Sequence, residues 1–154
     1  MQLKAGLLQT LTNSLDQEYG CIYESPKTRI YDCNRNRVIV VTKEYPKYAY
    51  YKYGLANKYE HIPKVYDLLE DSINKIYVIR REALFPITTL KKLTRLEIIG
   101  NALNDNLSLN DKITDEIRQF YYPNQNWLKL DLGPHCFMET RNKKIVVSDI
   151  LMER

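Results

Sequence analysis

The sequence predicts an α+β fold: an antiparallel five-stranded sheet carrying one helix, followed by a smaller, mostly helical part. Two patterns carry that expectation. From residue 20 to residue 84, short β-branched and aromatic runs alternate with turn residues, and a single helical stretch interrupts them. From residue 88 to residue 121, the apolar residues return every three or four positions, as on one helix face. With 154 residues, 44% apolar and 27% charged, the chain has the composition of a folded protein and room for one domain or two small lobes.

Leu3, Leu7, Leu8, Leu11 and Leu15 stand at near-helical spacing, which predicts a docking helix within residues 1–19. Three strands follow: Cys21 to Tyr23, Thr28 to Cys33, and Arg37 to Thr42. The connections are Glu24-Ser25-Pro26-Lys27 and the turn Asn34-Arg35-Asn36. Tyr45 to Lys58 reads as a helix with Pro46 in its first turn. His61 to Leu69 reads as a strand, Asp71 to Asn74 as its turn, and Lys75 to Leu84 as the return strand. Thr88 to Ile99 is a helix with Leu90, Leu93, Leu96 and Ile99 on one face and Gly100 ending it. Asn101 to Asn110 is a polar connection. Ser108 to Asp111 can cap a second helix, Asp111 to Tyr121, whose apolar face is Ile113, Ile117 and Phe120. Tyr122 to Asn126 reads as a loop and Trp127 as a core residue.

The chemistry-bearing stretch comes last. Asp131 and Asp149 stand at the ends of apolar runs, with the turn Gly133-Pro134 and a polar reversal between them. A hairpin here would return the chain on itself and bring two carboxylates together, a common way to hold a divalent cation. The plainer alternative is that both acids serve turns. Elsewhere, Cys21, Cys33 and Cys136 form no CxxC pair, and His61 and His135 are the only histidines, so neither a zinc framework nor a histidine-based metal cluster is expected. His61 reads as a turn residue rather than a ligand. Reduced thiols suit a cytoplasmic protein. No apolar run is long enough to span a membrane, and the first fifteen residues do not read as a secretion signal.

Asp131 is followed five residues on by Cys136 and eighteen residues on by Asp149. In the protein-kinase-like fold a catalytic Asp is followed at those spacings by an Asn and a metal-binding Asp. More narrowly, Asp131-Leu-Gly-Pro-His-Cys-Phe-Met and Val147-Ser-Asp149-Ile resemble the "DLHxxNxM … ITDP" signature of small kinase-like proteins encoded by bacteriophages. The segment from His61 to Ile87 resembles the same family's "HFPRVYDV…VVMERLEPL". The resemblance implies a minimal kinase-like fold, with an N-lobe over residues 20–84 and a truncated C-lobe with a catalytic-loop-like hairpin over 85–154. It puts Glu82, Ala83 and Leu84 at the hinge, where an adenine would lie. It makes Asp131 the base-like position and Asp149 the metal position.

The departures weigh against catalysis. The third strand aligns with "RVVKVT", so the phosphate-pairing lysine is replaced by Val40. Lys43 substitutes only if the register slips, and a slip of one residue sends every side chain to the other face. The helix after that strand has no acid between Pro46 and Tyr59 to partner such a lysine. Cys136 replaces the metal-binding Asn, and a thiol is a poor partner for Mg²⁺. The loop from Glu24 to Lys27 has no glycine to bring backbone amides around phosphates.

The expectation is therefore a catalytically degenerate, pseudokinase-like phage protein. It would need no cofactor and would act in the host cytoplasm by binding a host protein, in host takeover or anti-defence. Thirteen tyrosines fit an interface, though they also suit half-buried sheet surfaces. One alternative is a residual kinase using Asp131, Asp149 and Lys43 with Mg²⁺ and ATP. Another is a nucleic-acid binder through Lys47, Lys52, Lys58, Lys91, Lys92 and Arg95, to which the net charge of +4 lends modest support.

Overall fold

A computed structural model of the chain describes residues 7–130, 132–148 and 151–153. It divides into two compact units. The first holds the described residues up to Lys52 together with Lys64–Ala83; the second holds Tyr53–Pro63 and the described residues from Leu84 onward.

The first unit is built on a five-stranded sheet. Its strands are β1 (Gly20–Glu24), β2 (Thr28–Asp32), β3 (Arg37–Thr42), β4 (Val65–Asp71) and β5 (Ile76–Glu82). The spatial order is β1-β2-β3-β5-β4, and every neighbouring pair is antiparallel. The β-branched run Val38 to Val41 occupies the middle strand, where both faces must be covered. On one face Tyr31, Val41 and Val78 pack around Leu15 of helix α1 (Leu7–Glu18). On the other, Tyr77 stacks at 5.0 Å against Tyr48 of helix α2 (Tyr45–Ala56), which follows β3. Alternation along β3 and β5 thus feeds two helices, one per face.

Turn chemistry fixes the register. Asn34, Arg35 and Asn36 all take left-handed backbone angles between β2 and β3, a conformation that asparagine tolerates. Between β4 and β5 the buried Asp71 carboxylate accepts hydrogen bonds from the Ile73 and Asn74 amides, 3.1 Å each, and from Asn74 Nδ2 at 2.7 Å. The side-chain bond from Asn74, then those amides, hold Asp71 below the usual carboxylate range. The strand expected from His61 begins only at Val65. Residues 61–64 form a turn and an extended lead-in, where Pro63 has no N–H to give a ladder.

Among the described residues, the second unit carries helices α3 (Leu90–Asn104) and α4 (Lys112–Asn124) and five strands of two or three residues. Strands β6 (Phe85–Pro86), β8 (Phe137–Glu139) and β9 (Ile145–Val147) form one sheet in the order β6-β8-β9, so the expected hairpin after Cys136 forms. Strands β7 (Leu128–Leu130) and β10 (Leu151–Glu153) pair separately.

Three sequence expectations need correction here. Gly100 does not end α3, which runs on to Asn104 because Ala102 and Leu103 extend its buried face. Leu90 is not on that face; it opens the helix and is 78% exposed. The segment from Tyr122 to Asn124 is helix rather than loop, with Pro123 inside the last turn of α4. The expected face of Ile113, Ile117 and Phe120 is buried, and Asp111 Oδ1 caps α4 by accepting from the Ile113 amide at 2.8 Å. Much of the tyrosine content is core rather than interface: Tyr31, Tyr48, Tyr50, Tyr51, Tyr59 and Tyr77 are buried. No helix among the described residues is long and apolar enough to cross a membrane.

Candidate functional site

Val40 lies at the centre of the sheet, 2% exposed, opposite Ile30 on β2 and Ile79 on β5. Lys43 is exposed just past the end of β3, where its amide donates to the Lys27 carbonyl at 2.8 Å. A cavity of about 420 Å³ opens beside this loop, lined among others by Ser25, Lys27, Arg29 and Lys43. Arg29 is already engaged there by Asp16 at 3.1 Å and Glu24 at 3.0 Å. The loop is closed on itself: the Ser25 amide donates to the Thr28 carbonyl at 2.8 Å, and the Thr28 amide to Ser25 Oγ at 3.1 Å. Two amides that would have to face a phosphate are thereby spent. Helix α2 brings no acid, as its sequence requires, and its lysines point to surface carboxylates. Lys47 Nζ lies 3.7 Å from Glu44 and Lys52 Nζ 3.8 Å from Glu70.

The residues expected at the hinge serve backbone order. Glu82 ends β5, and its carboxylate accepts from the Lys64 amide at 2.9 Å. Its carbonyl accepts from Arg81 Nη1 at 2.8 Å. The Ala83 amide donates to the Asn36 carbonyl at 2.9 Å. Leu84, the first residue of the second unit's later segment, is partly buried.

Asp131 and Asp149 both lie outside the described residues. Their described neighbours Leu130 and Leu151 pair across β7 and β10. Cys136 is buried, accepting from the Gly133 amide through Sγ at 3.3 Å, while its carbonyl takes the Ser148 amide at 2.8 Å. The thiol is part of the hairpin's packing.

A second group of residues, invisible to sequence spacing, meets in the second unit. Glu60, His61 and Glu116 each offer a ligand atom within 4.8 Å of the others. Glu116 projects from α4 toward the turn after α2. Its Oε1 accepts from the Glu60 amide at 2.6 Å and its Oε2 from the His61 amide at 3.0 Å. His61 Nδ1 lies 3.3 Å from Glu116 Oε2. The expectation of no histidine-based cluster rested on the separation of the two histidines. Glu60 is the sequence neighbour of His61, and Glu116 lies 55 residues from it. Nothing local marks Glu116 except its half-buried place on a helix otherwise amphipathic in the ordinary way.

No family model and no curated protein matches the chain. The likeness to kinase-like proteins therefore stands on the quoted motifs.

Proposed function

We propose that the chain is a catalytically degenerate kinase-like protein, phage-encoded as its motifs suggest, which acts by binding a host protein. The observation that carries this reading is the burial of Val40 between Ile30 and Ile79. A gripping lysine at that position would need a carboxylate partner, and neither the strand nor α2 supplies one. Lys43 lies beyond the strand end, so it does not take over the role by a slip of register. The self-closed loop from Ser25 to Thr28 and the packed thiol of Cys136 point the same way. An antiparallel five-stranded sheet with one helix between β3 and β4 is the arrangement that the resemblance requires of an N-lobe.

For a protein partner, β1 is the best-suited surface of the first unit. It is an edge strand whose residues are all exposed, Ile22 at 61% and Tyr23 at 52%. Nucleic acid is a weaker reading, because Lys47, Lys52, Lys92 and Arg95 are each engaged by a carboxylate.

The test is a melting curve with and without Mg·ATP, paired with a pull-down from host lysate. The reading expects no nucleotide shift and a co-purifying protein whose capture falls in Ile22→Asp. A Mg·ATP stabilisation that disappears in Asp149→Ala would establish the residual kinase instead. Steeply salt-dependent retention of DNA or RNA would establish the nucleic-acid binder.

A further inference from the structure

We propose that Glu60, His61 and Glu116 form a binding site for one divalent transition-metal ion of the Zn²⁺ class. The site lies wholly within the second unit and is independent of the kinase-like reading.

Geometry is the first argument. His61 Nδ1 and Glu116 Oε2 are 3.3 Å apart. Two ligands on a tetrahedral ion with bonds of about 2.0–2.1 Å stand about 3.3–3.4 Å from each other. This pair already has the spacing that one ion would impose. Glu60 completes a set within 4.8 Å, and its exposed side chain can close the remaining gap by rotation.

The second argument is the state of the imidazole. His61 Nδ1 is buried and makes no hydrogen bond, although a carboxylate oxygen faces it. With Nδ1 unprotonated, its lone pair faces a carboxylate with no hydrogen bond between them, and a metal ion would take both as ligands.

Third, the ligands are held in place. The Glu116 carboxylate is fixed by the amides of Glu60 and His61, which leave it lone pairs for an ion. The His61 carbonyl accepts from the Val147 amide at 2.8 Å, anchoring the turn from the side of β9. Such outer contacts orient metal ligands and raise affinity.

The donor set selects the ion. One imidazole and two carboxylates suit a borderline metal better than Ca²⁺ or Mg²⁺, which prefer oxygen alone. Three protein ligands leave a fourth position for water on the exposed Glu60 side. Lys112 is the present counter-charge, its Nζ 3.4 Å from Glu60 Oε2. It is 78% exposed, so it can swing away when an ion enters.

Titration of the full chain with Zn²⁺ against a chelator, and with Co²⁺ by visible absorption, tests the site. One Zn²⁺ per chain and the bands of four-coordinate Co²⁺ are expected. Glu60→Gln should weaken binding by about tenfold or more, since loss of even an outer contact costs that much. His61→Asn should abolish it. Lys112→Met should tighten it by removing the competing ammonium, an effect that a purely structural clip has no reason to show. Glu60 and Lys112 have exposed side chains, so those variants fold and decide the matter even if His61→Asn does not. The proposal is overturned if no stoichiometric Zn²⁺ binds. It is equally overturned if the affinity ignores these substitutions, since the ion would then sit elsewhere, for example on the thiols.

Discussion

Lys92 Nζ lies 2.9 Å from Glu139 Oε2, joining α3 to β8 in the second unit. The Glu139 side chain is only 5% exposed, and Lys143 approaches its other oxygen at 3.5 Å. The hydrogen bond from Lys92, with the charges of Lys92 and Lys143, holds the Glu139 carboxyl below the usual carboxylate range. A depressed folded-state pKa means that the pair's contribution is complete above the ordinary glutamate value. It is lost as pH falls through the lowered one. Urea unfolding in acid should therefore show stability declining from about pH 4.3 downward. Asp71, depressed by its own turn, adds to the same decline. Lys92→Met should be less stable at neutral pH and show a flatter acid limb. Parallel limbs in the two proteins would refute the assignment.

Each unit has a residue on which its core turns. Ile79 on β5, wholly buried, faces Val40 on one side and Leu68 on the other. Ile117 on α4 is equally buried. Cutting either to alanine leaves a cavity, so Ile79→Ala and Ile117→Ala should each cost about 2–5 kcal/mol. Leu90→Ala, at the exposed start of α3, should change stability by less than about 0.5 kcal/mol. Chemical denaturation midpoints separate these outcomes. A large effect at Leu90 would mean that the face of α3 has been assigned wrongly.

The strands of the first unit were legible because their code is local. Val38 to Val41 is β-branched, and Asn34 to Asn36 or Asp71 to Asn74 supply the turns, so each strand could be read within a few residues. Helix ends were read less well. Gly100 lowers helix propensity by about 1 kcal/mol, yet burial of Ala102 and Leu103 outweighs it. Pro123 stands in the last turn of α4, displacing the expected stop. The site was legible only where the residues were neighbours in sequence. Val40 falls in the middle of the β-branched run and is buried, while Lys43 falls just past its end and is exposed. Glu116 could not be joined to Glu60 and His61, because that meeting depends on how α4 packs, and no spacing rule encodes it.

Asp111 does two jobs at one helix end. Oδ1 accepts the Ile113 amide at 2.8 Å, and Oδ2 takes Arg95 Nη2 of α3 at 2.9 Å. Removing both in Asp111→Ala should cost about 1–2 kcal/mol, mostly from the orphaned amide. Asp111→Ser keeps a capping oxygen and loses the ion pair with Arg95. That pair involves a half-exposed guanidinium, so the serine variant should lose under about 1 kcal/mol. Thermal or urea melts in which the two variants lose equally would show that the ion pair with Arg95, absent from both, and not the cap, carries the stability.

Buried phenols set the alkaline limit. Burial, with Glu70 and the neighbouring Tyr45 and Tyr77, pushes Tyr48 up to about 12. Burial raises Tyr59 too, with Tyr53 and Glu116 adding to it, and Tyr31 rises by burial and its bond to Asp16. A raised folded-state pKa keeps the proton on in the native protein while the unfolded chain gives it up. Stability is therefore full below the ordinary tyrosine value, about 10, and falls as pH climbs from there toward the folded value. Ultraviolet titration should show Tyr31, Tyr48 and Tyr59 still protonated in the native protein at the ordinary tyrosine value, about 10. They should ionise only in a later step coupled to unfolding. Tyr48→Phe removes one such proton, so its alkaline decline should be shallower than that of the parent chain. A single titration step near 10 embracing every tyrosine would contradict the packing of α2 against the sheet.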